Sequence, residues 1–292
     1  MDSFHLGSVS VGRVGFGAMQ LPGPGVFGPP RDHDQAIAVL QRVIELGINH
    51  IDTAQFYGPN IANELIREAL HPYPDNLALV SKVGAYRDDQ GAWLPAQQPD
   101  QLRASIEENL RTLDTDRLAA VNLRVHSGDP STPGPVDREL FNRQLTAMTK
   151  ARDEGLIGGI GLSSIGPDHL RIALDRTEIV CVQNAYNLVD RTSQPVLDAC
   201  IEHDIAFVPF FPLGSGFFAD NPVLGHPAVK REAQQRGRTP AQIALAWTLS
   251  IAPNVLLIPG TSSVEHLEEN TAVRDITLDD ETKRELDAAA AP

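Results

Sequence analysis

Residues 48–59, INHIDTAQFYGP, form a β-branched apolar run that ends on a carboxylate, Asp52. Five residues later comes a phenol, Tyr57, ahead of Gly58 and Pro59. Two more apolar runs carry a reactive group near their ends. LALVSKV at 77–83 holds the ammonium of Lys82, and LAAVNLRV at 118–125 leads into the imidazole of His126. Acid, phenol, ammonium and imidazole are the groups with which proteins hold and move protons. Singly, each has an ordinary structural use: an Asp-Lys pair pins two strands, a Tyr before Gly-Pro packs in a turn, and a His satisfies a loop. Four of them at the ends of three consecutive runs point to a site.

The elements that would position them repeat along the whole chain. Strand-like runs fall at 14–19, 50–54, 77–83, 118–125, 157–163, 179–186, 205–211 and 255–260, separated by amphipathic segments such as DHDQAIAVLQRVIELG and PDQLRASIEENLRTL. Continuous apolar strands joined by helical crossovers predict a parallel sheet covered by helices. Eight such units with no Pro/Gly/Ser linker between them predict an α/β fold, a closed (β/α)₈ TIM barrel that forms a single domain over 1–292. In such a barrel the C-terminal strand ends carry the active site. An open dinucleotide-binding sheet would need GxGxxG between a strand and a helix. The first run gives GFGAMQ instead, followed by a long proline-rich loop. The opening FHLGSVSVGR suggests a hairpin that closes the barrel floor, and TLDDETKRELDAA a final helix with a solvated charged face.

Composition excludes several classes. The net charge of −14 opposes binding to a nucleic-acid backbone. The two cysteines, Cys181 and Cys200, fall in a strand-like and a helical segment and form no CxxC or Cys/His cluster, so neither a disulfide framework nor a metal site is expected. No apolar run approaches membrane-spanning length, and the N-terminus lacks the features of a signal peptide. A cytoplasmic protein is expected, without membrane or nucleic-acid partners, and nothing suggests a state other than a monomer.

At this level of detail the chain resembles the aldo-keto reductases. DTAQFYG, VSKVG and NLRVH match the family's motifs on its second, third and fourth strands. IGLSS, VQNAYN, FFPLGSG and IPGTSSVEHLEEN match its later cofactor segments in order and spacing. The resemblance implies a barrel that uses NADPH to reduce a small-molecule carbonyl. Tyr57 would then donate the proton. Lys82 would lower the phenol's pKa from its ordinary value near 10, Asp52 would keep Lys82 charged, and His126 would hold the carbonyl oxygen.

By the same resemblance Ser163 and Gln183 bind the nicotinamide carboxamide, Phe210 stacks on its ring, and Pro212, Leu213 and Gly214 approach the pyrophosphate. Ile258 and Gly260 belong to the same cofactor-binding segment, the 2′-phosphate rests on Thr261, Ser262, Ser263, the helix N-terminus and His266, and Glu269 and Asn270 face the adenine. Relatives often place Lys at the position of Gly260 and Arg at that of His266, so introducing both is expected to tighten NADPH binding. Ser262 and Glu265 have the spacing of a helix capping box.

The segments GAMQLPGPGVFGPPRD, SKVGAYRDDQGAWLPA and FVPFFPLG most resemble the pyridoxal reductase branch, which implies reduction of pyridoxal to pyridoxine. Phe27 and Trp93 would rim the substrate pocket. A 5′-phosphate would need a cation, for which Arg31, Arg87 and Arg124 are candidates; the unphosphorylated aldehyde is expected. The alternatives are a broad aldehyde or ketone reductase of the same mechanism, or a nicotinamide-nucleotide sensor or subunit without turnover. The complete set of four reactive side chains argues against the last.

Overall fold

The computed structural model describes residues 3–125, 133–214 and 221–288. The chain opens with an antiparallel hairpin of β1 (Ser3–Leu6) and β2 (Val9–Gly12), turned at Gly7, whose φ of 60° suits a residue without a Cβ. Leu6 and Val11 are buried against Ala78, Ala120, Ala206 and Leu256, so the hairpin plugs one end of the barrel, as the alternation of its sequence suggests.

The wall begins with β3 (Phe16–Gly17), β4 (His50–Asp52) and β5 (Ala78–Val83). A second small hairpin follows, β6 (Ala85–Arg87) paired with β7 (Trp93–Pro95). The wall then continues through β8 (Ala120–Arg124), β9 (Ile160–Ser163), β10 (Cys181–Gln183) and β11 (Ala206–Phe207), each parallel to its predecessor in the wall. Residues 255–257 supply the eighth wall segment. Val255 bridges Phe207 on one side and Leu257 bridges Val14 on the other, with hydrogen bonds Leu256 N to Phe207 O at 2.9 Å and Gly15 N to Leu257 O at 2.7 Å. The ring therefore closes, and the fold is a (β/α)₈ barrel.

Several ladders are shorter than their apolar runs. The 179–186 run forms a strand only over Cys181–Gln183 and the 205–211 run only over Ala206–Phe207, with one isolated bridge, Ala185 to Phe210, beyond them. Beyond these points the chain bends into mouth loops in which Ala185, Tyr186 and Val208 stay buried, so hydrophobicity outlasts regular pairing.

Helices α1 (His33–Glu45), α2 (Ile61–Leu70), α3 (Pro99–Leu113), α4 (Arg138–Asp153), α5 (Pro167–Leu174), α6 (Gln194–Glu202), α7 (Pro227–Arg236), α8 (Pro240–Ser250), α9 (Val264–Thr271) and α10 (Asp280–Asp287) accompany the wall. Their starts follow local chemistry. Asp32 accepts from Gln35 N at 2.9 Å and Asp137 from Leu140 N at 3.0 Å, while α3, α5, α7 and α8 each begin on a proline, where no N–H is needed. The cap of α9 is Ser263, accepting from His266 N at 3.3 Å, and not Ser262 with Glu265 as the sequence spacing suggests.

Strand alternation divides the wall residues into two sets. Ile51, Leu79, Val121, Leu123, Leu162 and Val182 pack outward in the same core as helix residues Val43, Ile66, Leu102 and Ile106. Inward positions are small or apolar near the plug and become polar toward the opposite end, where the site lies.

Candidate active site

Asp52 ends β4 and Lys82 lies one residue before the end of β5, both facing inward. The side chains of the pair are almost wholly enclosed, with Lys82 Nζ bonded to Asp52 Oδ1 and 3.3 Å from the Thr53 carbonyl oxygen. Gln183, at the end of β10, donates Nε2–H to Asp52 Oδ2 at 2.7 Å. Its Oε1 is buried with no hydrogen-bond partner among the described residues. Tyr57 is reached through the turn after β4, where its N–H donates to the Ala54 carbonyl at 3.0 Å. Its ring centre lies 5.2 Å from Lys82 Nζ, and Phe56 meets it edge-on at 5.4 Å.

Electrostatics hold this cluster in a defined charge state. Burial works against the Lys82 ammonium, but Asp52 and then Tyr57 more than restore it, and its pKa ends above the ordinary lysine value. For Tyr57 the expected downward pull of Lys82 is present but is not the largest influence. Burial raises the phenol's pKa, and the pull of Lys82 downward only partly offsets this, so the free protein keeps Tyr57 protonated. His50, two residues below Asp52 on the same strand, has both ring nitrogens buried without partners among the described residues, and burial pushes its pKa down to about 4.

These side chains open into a cavity of about 960 Å³. Of the residues singled out from sequence, Asp52, Tyr57, Lys82, Trp93, Ser163, Gln183, Phe210, Pro212, Leu213, Gly214, Ile258, Gly260, Ser262 and Asn270 line it. His126 lies outside the described residues. Phe27, Thr261, Ser263, His266 and Glu269 do not line the cavity. Phe27 packs instead 5.3 Å from the Arg87 guanidinium. Thr261 is buried, with Oγ1 accepting from Ser263 N at 3.0 Å. His266 is exposed on α9, and the Glu269 carbonyl is taken by Gln242 Nε2 at 3.1 Å. The lining also includes Met19 and Gln20, inside the segment GAMQLPGPGVFGPPRD but not singled out there, and Gln35 of α1.

Of the three candidate cations, Arg87 is committed to the carbonyls of Gly91, Val26 and Gly25 at 2.8, 3.1 and 3.2 Å, Arg31 stands at the exposed rim, and Arg124 lines the inner wall. Gly260 corrects a further expectation. A Cβ there would lie 2.5 Å from the Gly17 carbonyl oxygen, so a lysine would force the first and last wall segments apart. The proposed gain from a lysine at that position is withdrawn.

Comparison with known proteins assigns the class. The aldo/keto reductase family model matches residues 13–291, and the chain belongs to that family. It is 48% identical over 286 residues to pyridoxine 4-dehydrogenase of Escherichia coli, covering 98% of this chain and 97% of that protein. It is 39% identical to an uncharacterized oxidoreductase of Schizosaccharomyces pombe, covering 98% and 91%. Among solved structures, an aldo-keto reductase from Klebsiella pneumoniae in complex with NADPH superposes with a TM-score of 0.82 at 27% identity, covering 100% of this chain and 95% of that one. Among the described residues no cluster of His, Cys, Asp and Glu is placed to hold a metal ion, and no helix is long and apolar enough to cross a membrane.

Proposed function

We propose that this chain is an NADPH-dependent carbonyl reductase whose substrate is pyridoxal, reduced at its aldehyde to the alcohol pyridoxine. The observation that carries the chemical part is the buried Asp52, Lys82 and Tyr57 cluster opening into one cavity. The substrate part rests on the 48% identity to a pyridoxine 4-dehydrogenase over nearly the whole of both chains.

The residues present fit a nicotinamide cofactor. With its Nε2 given to Asp52, Gln183 is left with one unmet acceptor on the cavity wall, which suits a carboxamide N–H. Ser163 lies beside it in register, and Phe210 supplies an aromatic face. Ser262 lines the same cavity just before the start of α9, where free backbone N–H groups suit a phosphate, and Asn270 lines it from the last turn of that helix. When bound, NADPH supplies a hydride for the carbonyl carbon.

Tyr57 supplies the proton. A phenol kept protonated by burial is in the state a donor requires, and the adjacent Lys82 ammonium favours the phenolate left behind. Asp52 holds that ammonium in place and charged. His126 would bind the carbonyl oxygen. Trp93, against Phe56 with ring centres 5.4 Å apart, offers a face for the pyridine ring.

The test is NADPH consumption with pyridoxal, pyridoxal 5′-phosphate and simple aldehydes at matched concentrations. The proposal expects pyridoxal to give much the highest kcat/KM. Simple aldehydes that equal it would make the chain a general carbonyl reductase, and cofactor binding without turnover on any of them would make it a sensor.

A further inference from the structure

One cation on the inner wall of the cavity has no counter-ion among the described residues. The inward positions of β8 are Ala120, Asn122 and Arg124. Ala120 packs near the plug, and Asn122 accepts from Cys181 Sγ at 3.2 Å. Arg124, one step higher, lines the cavity with Tyr57, Lys82 and Trp93. Its backbone is fixed, paired in register with Ser163 and with its carbonyl accepting from Gln97 Nε2 at 2.9 Å. Its guanidinium lies 5.6 Å from the Trp93 ring centre.

The neighbouring cations are matched. Lys82 has Asp52, and Arg87, stacked 4.3 Å from the same Trp93 ring, is spent on three backbone carbonyls. Among the described residues, the Tyr57 phenol is the one titratable group that raises the Arg124 pKa, while burial lowers it. A guanidinium keeps its charge even so, and a half-desolvated one facing a cavity strongly favours an anion.

We propose that Arg124 is a specificity-determining residue that selects carbonyl substrates bearing an ionised oxygen close to the carbonyl. In a pyridoxal-type substrate it takes the ring oxygen ortho to the aldehyde. The inference rests on the carbonyl-reductase reading and gives the cavity a preference that reading lacks. An anionic oxygen on such a substrate has two sources, the ring oxygen and a 5′-phosphate. The ring oxygen is favoured because Arg124 stands one inward step above Asn122, the register partner of Lys82, and Tyr57 lies 5.2 Å from Lys82 in the same cavity, so an anion held by Arg124 lies toward the oxygen that Tyr57 protonates.

The experiment measures kcat/KM with NADPH for the full chain and for Arg124→Met and Arg124→Lys. The substrates are pyridoxal, pyridoxal 5′-phosphate and 4-pyridinecarboxaldehyde, which has neither oxygen. Arg124→Met should lower the ratio of pyridoxal to 4-pyridinecarboxaldehyde by about 10- to 100-fold, mainly through KM, the size of one charge-assisted contact. Arg124→Lys should recover part of it. An equal fall for both substrates would assign Arg124 to structure or to Tyr57 alone and overturn the proposal. A fall confined to pyridoxal 5′-phosphate would overturn the ring-oxygen assignment. If the unaltered protein does not reduce pyridoxal, the vitamin substrate fails separately. The ratio of 2-carboxybenzaldehyde to benzaldehyde then decides: a fall in Arg124→Met supports the selection of an adjacent anion, and an unchanged ratio refutes it.

Discussion

Two buried polar networks sit on opposite faces of the same strands, one residue apart in sequence. Asp52 and Lys82 face inward, while Thr53 and Ser81 face the helices. On the outer side Thr53 donates to Asn63 Oδ1 at 2.8 Å, and Asn63 donates to Asn109 Oδ1 and to Thr112 Oγ1, both at 2.9 Å. Asn109 is fully used: its Oδ1 also accepts from Ser81 at 2.7 Å, and its Nδ2 donates to Gln55 at 2.9 Å and to the Ser105 carbonyl at 2.8 Å. This network is neutral and closed. The inner one is charged and open, with Gln183 Oε1 unmet and Arg124 facing the cavity. A closed network locks α2 and α3 to the wall, whereas an open one keeps valences for a ligand, at a cost in stability.

Substitutions should separate the two networks. The largest effect belongs to Lys82→Met, which strands Asp52 in the barrel with Gln183 as its one side-chain partner among the described residues. It should lower stability by about 3–5 kcal/mol and turnover by at least about 100-fold. Adding Asp52→Asn should restore most of the urea midpoint without restoring turnover, because the buried charge is then gone but the proton machinery is not rebuilt. Asn109→Ala should do the reverse. It leaves several buried groups unpaired and costs about 3 kcal/mol in urea melts, while kcat/KM of the folded protein stays near that of the unaltered chain. An Asn109→Ala protein that is stable but inactive would erase the distinction.

The smallest effect is acid sensitivity from His50. Between its ordinary value near 6.5 and its folded value near 4, the unfolded chain binds a proton that the folded one refuses. The His50 contribution to stability is therefore complete above about pH 6.5 and declines as pH falls, by about 2 kcal/mol at about pH 5. Urea midpoints measured across that range should show the slope, and His50→Gln should flatten it.

Much of this organisation is legible in the chain itself. Parallel strands buried on both faces read as unbroken apolar runs, so eight of them spaced by helical segments imply a barrel. Asp52 and Lys82 stand out because a charge ending such a run has nowhere to go but the mouth. Clearance and commitment are not legible. Spacing finds Gly260 but not the Gly17 carbonyl pressed against it, and it treats Phe27 and Trp93 alike although only Trp93 reaches the cavity. It places Lys82 near Tyr57 but not the burial that outweighs it. Adjacent serines at 262 and 263 cannot be told apart as caps until the backbone turns. Likewise Arg124 reads as one of three candidate arginines until the partners of Arg87 are seen.

The most direct test of the account sets Tyr57→Phe beside Asn109→Ala, measuring the urea midpoint, NADPH binding and NADPH-dependent reduction of pyridoxal for each. The account predicts that Tyr57→Phe melts and binds NADPH nearly as the unaltered chain does but loses reduction by about 100-fold or more. Asn109→Ala should melt earlier and still reduce. Tyr57→Phe that reduces pyridoxal at near the unaltered rate would contradict it, because the proton would then come from another group.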